Sequence, residues 1–297
     1  MRPPDSPPPA QPRTPRGRRR PPFWLMLFVL GFVLVPFLFW RGTWFGRPLA
    51  ERDTEKYLSD TQRPRKTQHA LVQIAEGILR GDPGVKRWYP QVRSLATHEL
   101  PQIRATVAWV MGQDNRSPEF HAALRELLAD ADPVVRGNAA LSLVRFGDAS
   151  GKPELRRMLQ PYAVSAPRAG TLAIRLPVGE TLNPGTLLGR IQTDEAEPVE
   201  IRSPLPGEVQ RWLFAEGAEV EAGDALVLLS PGEEQVWEAL RALYLLGQSE
   251  DLAEIEPYAR GVEGMPEKIQ QQAILTREAI RRRAAAGSEV RGVNGPS

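Results

Sequence analysis

Apolar and polar positions along this chain follow three different rhythms. From Phe23 to Trp40 there is almost no alternation: FWLMLFVLGFVLVPFLFW runs for 18 residues without a charge. At about 1.5 Å per residue such a helix would reach roughly 27 Å, close to the roughly 30 Å of a bilayer's hydrocarbon layer. Thr43, Trp44 and Phe45 can extend the run, and Trp24, Trp40 and Trp44 stand near its ends, where indole rings favour the membrane interface. The pattern predicts one transmembrane helix over residues 23–45. A cleavable leader is the rival reading, but Arg41-Gly42-Thr43-Trp44-Phe45-Gly46-Arg47 offers no small-x-small cleavage site.

The second rhythm is helical. Ala70, Leu71, Ile74, Ile78 and Leu79 recur at 3.6-residue spacing, and Gly81-Asp82-Pro83-Gly84 then breaks the helix. Farther on the pattern repeats itself. Pro101 and Pro133, Arg104 and Arg136, and Ala108 and Ala140 each stand 32 residues apart. Each of these helices is followed by a second, around Phe120–Ala129 and Pro153–Leu159. Proline suits the first helical position, where its missing N–H costs nothing. Small residues at Ala105, Ala108 and Ala140 let neighbouring helices approach. A single helix pair has too little core of its own and must stack on the next. The helical rhythm resumes at about residue 233, with Val236, Ala239, Leu240, Leu243 and Leu246 on one face, and ends in a helix from Pro266 to Arg283.

Between the two helical parts the rhythm changes to short alternating strands. Residues 161–232 hold eight glycines and strand-like runs such as Thr171–Leu176 and Glu208–Phe214. This stretch also repeats. Ala166-Pro167-x-x-Gly170 returns as Ser203-Pro204-x-x-Gly207, and the glycine frame Gly179/Gly185 returns as Gly217/Gly223.

Charge sharpens the picture. The net charge of +2 hides a tail: residues 1–22 contain six arginines, one acid and nine prolines. Such a segment cannot bury enough apolar surface to fold and reads as a disordered tail. The other 275 residues carry 32 basic and 35 acidic side chains, so the basic character does not describe a folded nucleic-acid-binding face. Five arginines at 13–20 precede the apolar run, which by the positive-inside bias places the N-terminus in the cytoplasm and the rest outside it. In a Gram-negative cell that is the inner membrane, with the C-terminal domains in the periplasm. With no cysteine, disulfide frameworks, thiolate metal sites and cysteine nucleophiles are excluded. The three histidines have no metal-ligand spacing, and no Gly-x-Ser-x-Gly, P-loop or His-Glu-x-x-His motif occurs. Trp109, Trp212 and Trp237 read as packing residues.

The Val-Arg-x-x-Ala-Ala-x-x-Leu pattern of residues 135–143 and its neighbour around Arg104 resemble HEAT repeats, in particular the short variety of phycobilisome lyases. The duplicated glycine frame of 161–232 resembles the barrel-sandwich hybrid of biotinyl and lipoyl domains, which also occurs in periplasmic adaptor (membrane-fusion) proteins. The resemblance implies a modifiable lysine on the hairpin between the halves. Here Gln192-Thr193-Asp194-Glu195-Ala196 occupies that hairpin, Glu195 stands at the lysine position, and no lysine occurs anywhere in 161–232. A carboxylate cannot form the amide link to lipoate or biotin, so no cofactor is expected.

The expected fold class is α+β and multidomain: one transmembrane helix, an α-solenoid of HEAT-like helix pairs, and an inserted all-β barrel-sandwich hybrid. The expected divisions are a Pro/Arg-rich tail (1–22), the transmembrane helix (23–45), a linker (46–64), helical repeats (65–160), the β domain (161–232), further helices continuing the solenoid (233–284) and a disordered tail (285–297). The expected function is that of a non-catalytic, membrane-anchored scaffold of the cell envelope, with no catalytic, cofactor-binding or metal-binding residues. Its partners would be the membrane and at least one protein, a transport complex or a second copy of the chain, and no nucleic acid. An adaptor subunit of an efflux or secretion system is the alternative, and a carrier-like subunit of an enzyme complex ranks below it.

Overall fold

A computed structural model describes residues 49–60, 63–193 and 197–293, with side chains through residue 286. The helices are α1 (Glu51–Ser59), α2 (Pro64–Leu79), α3 (Tyr89–Ser94), α4 (Pro101–Met111), α5 (Pro118–Leu127), α6 (Pro133–Arg145) and α7 (Lys152–Arg157). Eight strands follow between Tyr162 and Pro231, and then α8 (Glu233–Leu246), α9 (Leu252–Arg260) and α10 (Glu267–Val293).

Local chemistry sets the helix starts. Proline opens α2, α4, α5 and α6. Ahead of α6 the Asp132 carboxylate accepts from the Val134 and Val135 N–H groups at 2.8 and 3.3 Å, and ahead of α5 the Ser117 hydroxyl accepts from the Phe120 N–H at 3.3 Å. Each cap satisfies N–H groups that a helix leaves without an internal partner.

The 32-residue repeat is built into the bonding. Arg104 donates to the Asp130 carboxylate through two nitrogens at 2.7 Å and to the carbonyls of His98 and Glu99. One repeat later Arg136 donates to the Glu154 carboxylate at 3.2 Å and to the carbonyls of Asp130 and Ala131. The carbonyls of His98/Glu99 and Asp130/Ala131 are themselves 32 residues apart, so each arginine ties the loop before its own helix to an acid farther along. Parallel helices are hooked side by side: Asn138 donates to the Ala105 carbonyl at 3.1 Å and Ser142 to the Ala108 carbonyl at 2.8 Å. The approach is close enough that a Cβ on Gly112 would collide with Ser142.

Helices on both sides of the strands share one core. Leu155, Met158 and Leu159 pack with Val236, Leu240, Leu243, Ile255 and Ile280. A charged clamp reinforces it. Lys152 reaches Gln248 and Glu250 at 2.8 Å, and Asp251, fully buried, lies 3.5 Å from Lys152 and 3.4 Å from Arg156.

The strands are β1 (Tyr162–Ser165), β2 (Gly170–Ile174), β3 (Thr181–Leu182), β4 (Leu187–Gln192), β5 (Val199–Arg202), β6 (Gly207–Trp212), β7 (Glu219–Val220) and β8 (Ala225–Pro231). They form two four-stranded antiparallel sheets, ordered β1-β8-β6-β3 and β5-β4-β2-β7. Replacing each strand of one half by its counterpart in the other (β1 by β5, β2 by β6, and so on) converts one order into the other. The duplicated sequence is therefore a pseudo-twofold structure whose halves interlock, and every strand supplies an apolar side chain to one shared core, from Val164 on β1 to Leu229 on β8. Gly170 and Gly207 occupy equivalent places with φ of 151° and 154°. A Cβ at either would collide with the carbonyl oxygen of the neighbouring strand, Gln192 or Ser230.

Two parts of the expected fold class are corrected. Among the described residues no helix is long and apolar enough to cross a membrane. The longest, α10, carries Arg277 and Arg281 to Arg283 within its length. The segment 23–45, on which the expected transmembrane helix rested, lies outside the described residues. Second, the β part is not a closed barrel. β1 and β3 end one sheet and β5 and β7 end the other, and β3 and β7, two residues each, are too short to carry pairing from sheet to sheet. The fold is mixed, with a helical array and a two-sheet β structure.

Candidate functional site

The helical array carries an open trough of about 830 Å³ lined by α4, α6, α8 and α10. Its direction follows from contacts of α7. Gly137, early in α6, faces Met158 just past the end of α7, whereas Gly151, just ahead of α7, faces Ala140 farther along α6. Gln235, early in α8, donates to the Met158 carbonyl at 2.9 Å, and Lys152, at the start of α7, meets Gln248 just past the end of α8. α7 is thus antiparallel to both neighbours, and α6 and α8 run parallel to each other along the two sides of the trough.

The trough opens where the strand insertion interrupts the array. Between α4 and α6 the Ser142 hook draws the helices together, and between α8 and α10 Thr276 makes the corresponding bond to the Leu240 carbonyl at 3.0 Å. Ala139, Leu143 and Gly147 recur 100 residues later as Ala239, Leu243 and Gly247, which puts Ala242 at the place of Ser142. An alanine has no hydroxyl to reach across, so the α6–α8 junction lacks this hook.

Large apolar side chains remain in water along the trough. Trp109 on α4 is 40% exposed, Tyr244 and Leu245 on α8 are 38% and 61% exposed, and Leu275 on α10 is 50% exposed. Leu141 and Val144 on α6 are half-buried beneath them. Leaving such side chains in water forgoes roughly 1.5–3 kcal/mol each relative to full burial. A contiguous apolar patch with a polar rim is the usual mark of a binding surface.

The rim is ordered by charge. Glu234 stands in the first turn of α8, where an acid complements the helix dipole, and Glu238 follows one turn on. Arg145 stands at the C-terminal end of α6, and Arg241 lies farther along α8 than the two acids. Arg145 also reaches the Gly112 carbonyl at the end of α4, and Arg283 donates to the carbonyls of Tyr244 and Gly247 at the end of α8. Along α8 the acids of the trough therefore precede its arginine, and Arg145 stands beside the far end.

A second cleft of about 860 Å³ lies between the β3–β6 end of the sheets and the α9–α10 turn. Its wall includes Tyr258, whose hydroxyl donates to the Leu159 carbonyl at 2.8 Å and whose pKa burial pushes up to about 12. That hydroxyl holds α9 to the chain leaving α7. Elsewhere in the array burial alone would raise Asp130 and Asp148, yet hydrogen bonding reverses the direction. The Arg104 guanidinium and the Asp132 N–H hold Asp130 below the usual carboxylate range, and Ser150 and His121 do so for Asp148.

Glu195, the residue at the expected lysine position, lies outside the described residues. Among the described residues no group of three or more His, Asp or Glu could hold a metal ion. Trp212 packs as expected, its indole donating to the Leu176 carbonyl at 2.9 Å, and Trp237 is half-buried against the helical core with Lys268 over its ring. Trp109 departs from the expectation. Its 40% exposure makes it a wall of the trough rather than a core residue. A signal for it existed: Pro64 and Pro101 open α2 and α4, 37 residues apart, and the same step carries Val72 to Trp109, while the 32-residue step carries Trp109 to Leu141. These three apolar residues hold one position on successive helices.

No curated protein matches this sequence. A family model described as HEAT repeats matches residues 79–171, a span that begins at the last residue of α2, covers α3 to α7 and ends in β2.

Proposed function

We propose that this protein is a non-catalytic scaffold that binds a protein partner in the trough between α6 and α8. The observation that carries this reading is the gathering of solvent-exposed Trp109, Tyr244, Leu245 and Leu275 along one trough of the array. Tryptophan and tyrosine are the side chains most often found at the energetic centre of protein interfaces. The HEAT-repeat match is in keeping with this, since repeat arrays present extended surfaces to partners.

The β structure is read as a docking module related to biotinyl and lipoyl domains. The pseudo-twofold strand order supports that kinship, and the absence of any lysine from residues 161–232 argues against a carrier role. Intact-mass measurement should show no lipoyl or biotinyl adduct. An envelope location rests on sequence alone, on the apolar run after five arginines. A reporter fused after Ser297 and active inside the cytoplasm would overturn it.

Affinity capture tests the main reading. The double variant Leu245→Glu/Leu275→Glu changes only exposed positions, so its thermal melt should match that of the wild type. Relative to the wild type it should lose at least one bound protein reproducibly. An unchanged set of bound proteins, with an unchanged melt, refutes the trough as the binding surface.

A further inference from the structure

The chemistry of the trough selects among the shapes a bound segment can take. Its walls are helices, whose backbone groups are bonded internally. Its uncharged polar side chains are also engaged within the array. Asn138 and Ser142 donate to carbonyls of α4, Gln113 to the Trp109 carbonyl and Gln272 to the Thr276 hydroxyl. A segment in extended conformation would bury its own N–H and C=O groups against these walls with few partners for them, which is costly. A helix arrives with its backbone already bonded and needs only an apolar stripe.

The dimensions agree. From Glu234 to Leu245 the α8 wall advances eleven residues, about 17 Å at about 1.5 Å per residue, or three helical turns. Charge order then fixes direction. A helix is most stable with acids in its first turn and bases in its last. Laid antiparallel to α6 and α8, such a helix brings its first-turn acids to Arg145 and Arg241 and its last-turn bases to Glu234 and Glu238. Laid parallel, it would set like charges together at both ends. Arg241 and Glu238 pair at 3.7 Å while both remain well exposed, a contact that an incoming charge displaces at little cost.

We propose that the trough receives an amphipathic helix of about three turns from a partner protein, antiparallel to α6 and α8, with acids in its first turn and lysine or arginine in its last. This rests on the scaffold reading given above and adds the partner's shape, direction and charge order.

The test is a surface-display library of 14-residue helix-forming peptides with apolar residues at i, i+3, i+4 and i+7. First- and last-turn positions are randomised among Glu, Lys and Ala. The library is sorted on the full-length protein, with Leu245→Glu/Leu275→Glu as the counter-selection. The expected pool carries acids first and bases last, binds about tenfold more tightly than its charge-reversed counterpart, and loses that margin at high salt. Glu234→Lys/Glu238→Lys should shift the preference towards peptides with acids in the last turn. No enrichment over the counter-selection variant, or enrichment without charge order, overturns the proposal. If the library fails while the double variant still loses a captured protein, the trough remains the binding surface and the helical occupant is wrong. If the double variant loses nothing, both readings fall.

Discussion

The helical array and the β sheets are both products of repetition, but they use it in opposite ways. In the array, repeats are joined in series. Arg104 and Arg136 make the same bonds one repeat apart, and each helix meets its neighbours alone. In the sheets, the two halves interlock: β8 of the second half lies between β1 and β6, and β4 of the first between β5 and β2. A series arrangement can be interrupted between units and resumed, as happens between α7 and α8. An interlocked one cannot, because neither half owns a complete sheet. The interruption also leaves its mark on the array, since the trough opens at the junction that it straddles.

The largest expected effect follows directly. Deleting residues 199–231 should abolish the β fold, because each sheet loses two strands. Replacing 162–231 with a short glycine–serine linker should leave a cooperatively melting helical protein, since α7 and α8 already share a core. Circular dichroism melts of the two deletions separate the cases, and loss of cooperativity in the second would contradict the series arrangement.

Single substitutions sharpen the contrast. Arg104→Ala strands the nearly buried Asp130 carboxylate and should cost about 3–5 kcal/mol in denaturant unfolding, whereas Asp251→Ala leaves Lys152 paired with Glu250 and should cost about 1–3 kcal/mol. Gly207→Ala forces a side chain into a positive-φ site facing the Ser230 carbonyl and should cost about 3 kcal/mol, with Gly170→Ala matching it if the halves are equivalent. Ser142→Ala removes one hook and should cost about 1 kcal/mol.

Acid titration gives a smaller effect with a definite sign. Asp130 and Asp148 are held below their ordinary pKa in the folded protein. Their contribution is present above the unfolded value of about 3.9 and is lost as pH falls through the lower folded values. Unfolding midpoints measured between pH 6 and 2 should fall at the acid end, and the fall should be shallower in Arg104→Ala. An identical acid limb in that variant would show that the pair does not govern it.

Much of this architecture is written in residue spacing. The 32-residue step carried Arg104 to Arg136 and Ala108 to Ala140, and those residues do make equivalent bonds and packing contacts. The duplicated glycine frame of 161–232 anticipated two related halves, because glycines at positive φ mark where strands turn or approach closely. What spacing did not convey is which apolar residues stay uncovered. Tyr244 and Leu245 lie one and two residues past the buried Leu243, and only the direction in which α8 meets α6 decides that they face water. The exposure of Trp109 escapes the sequence pattern for the same reason. The two sheets also stay open because of strand lengths, and a two-residue β3 or β7 has no distinct sequence pattern.

The most direct test of the central claim is site-resolved photo-crosslinking in the cell of origin. A benzophenone side chain at Leu245 or Leu275 should give a discrete adduct, which Leu141→Glu suppresses. The same group at Val178, an exposed position on the β structure, should give none of that adduct. An adduct from Val178 equal to that from Leu245, or one from Leu245 indifferent to Leu141→Glu, would contradict the trough as the docking surface.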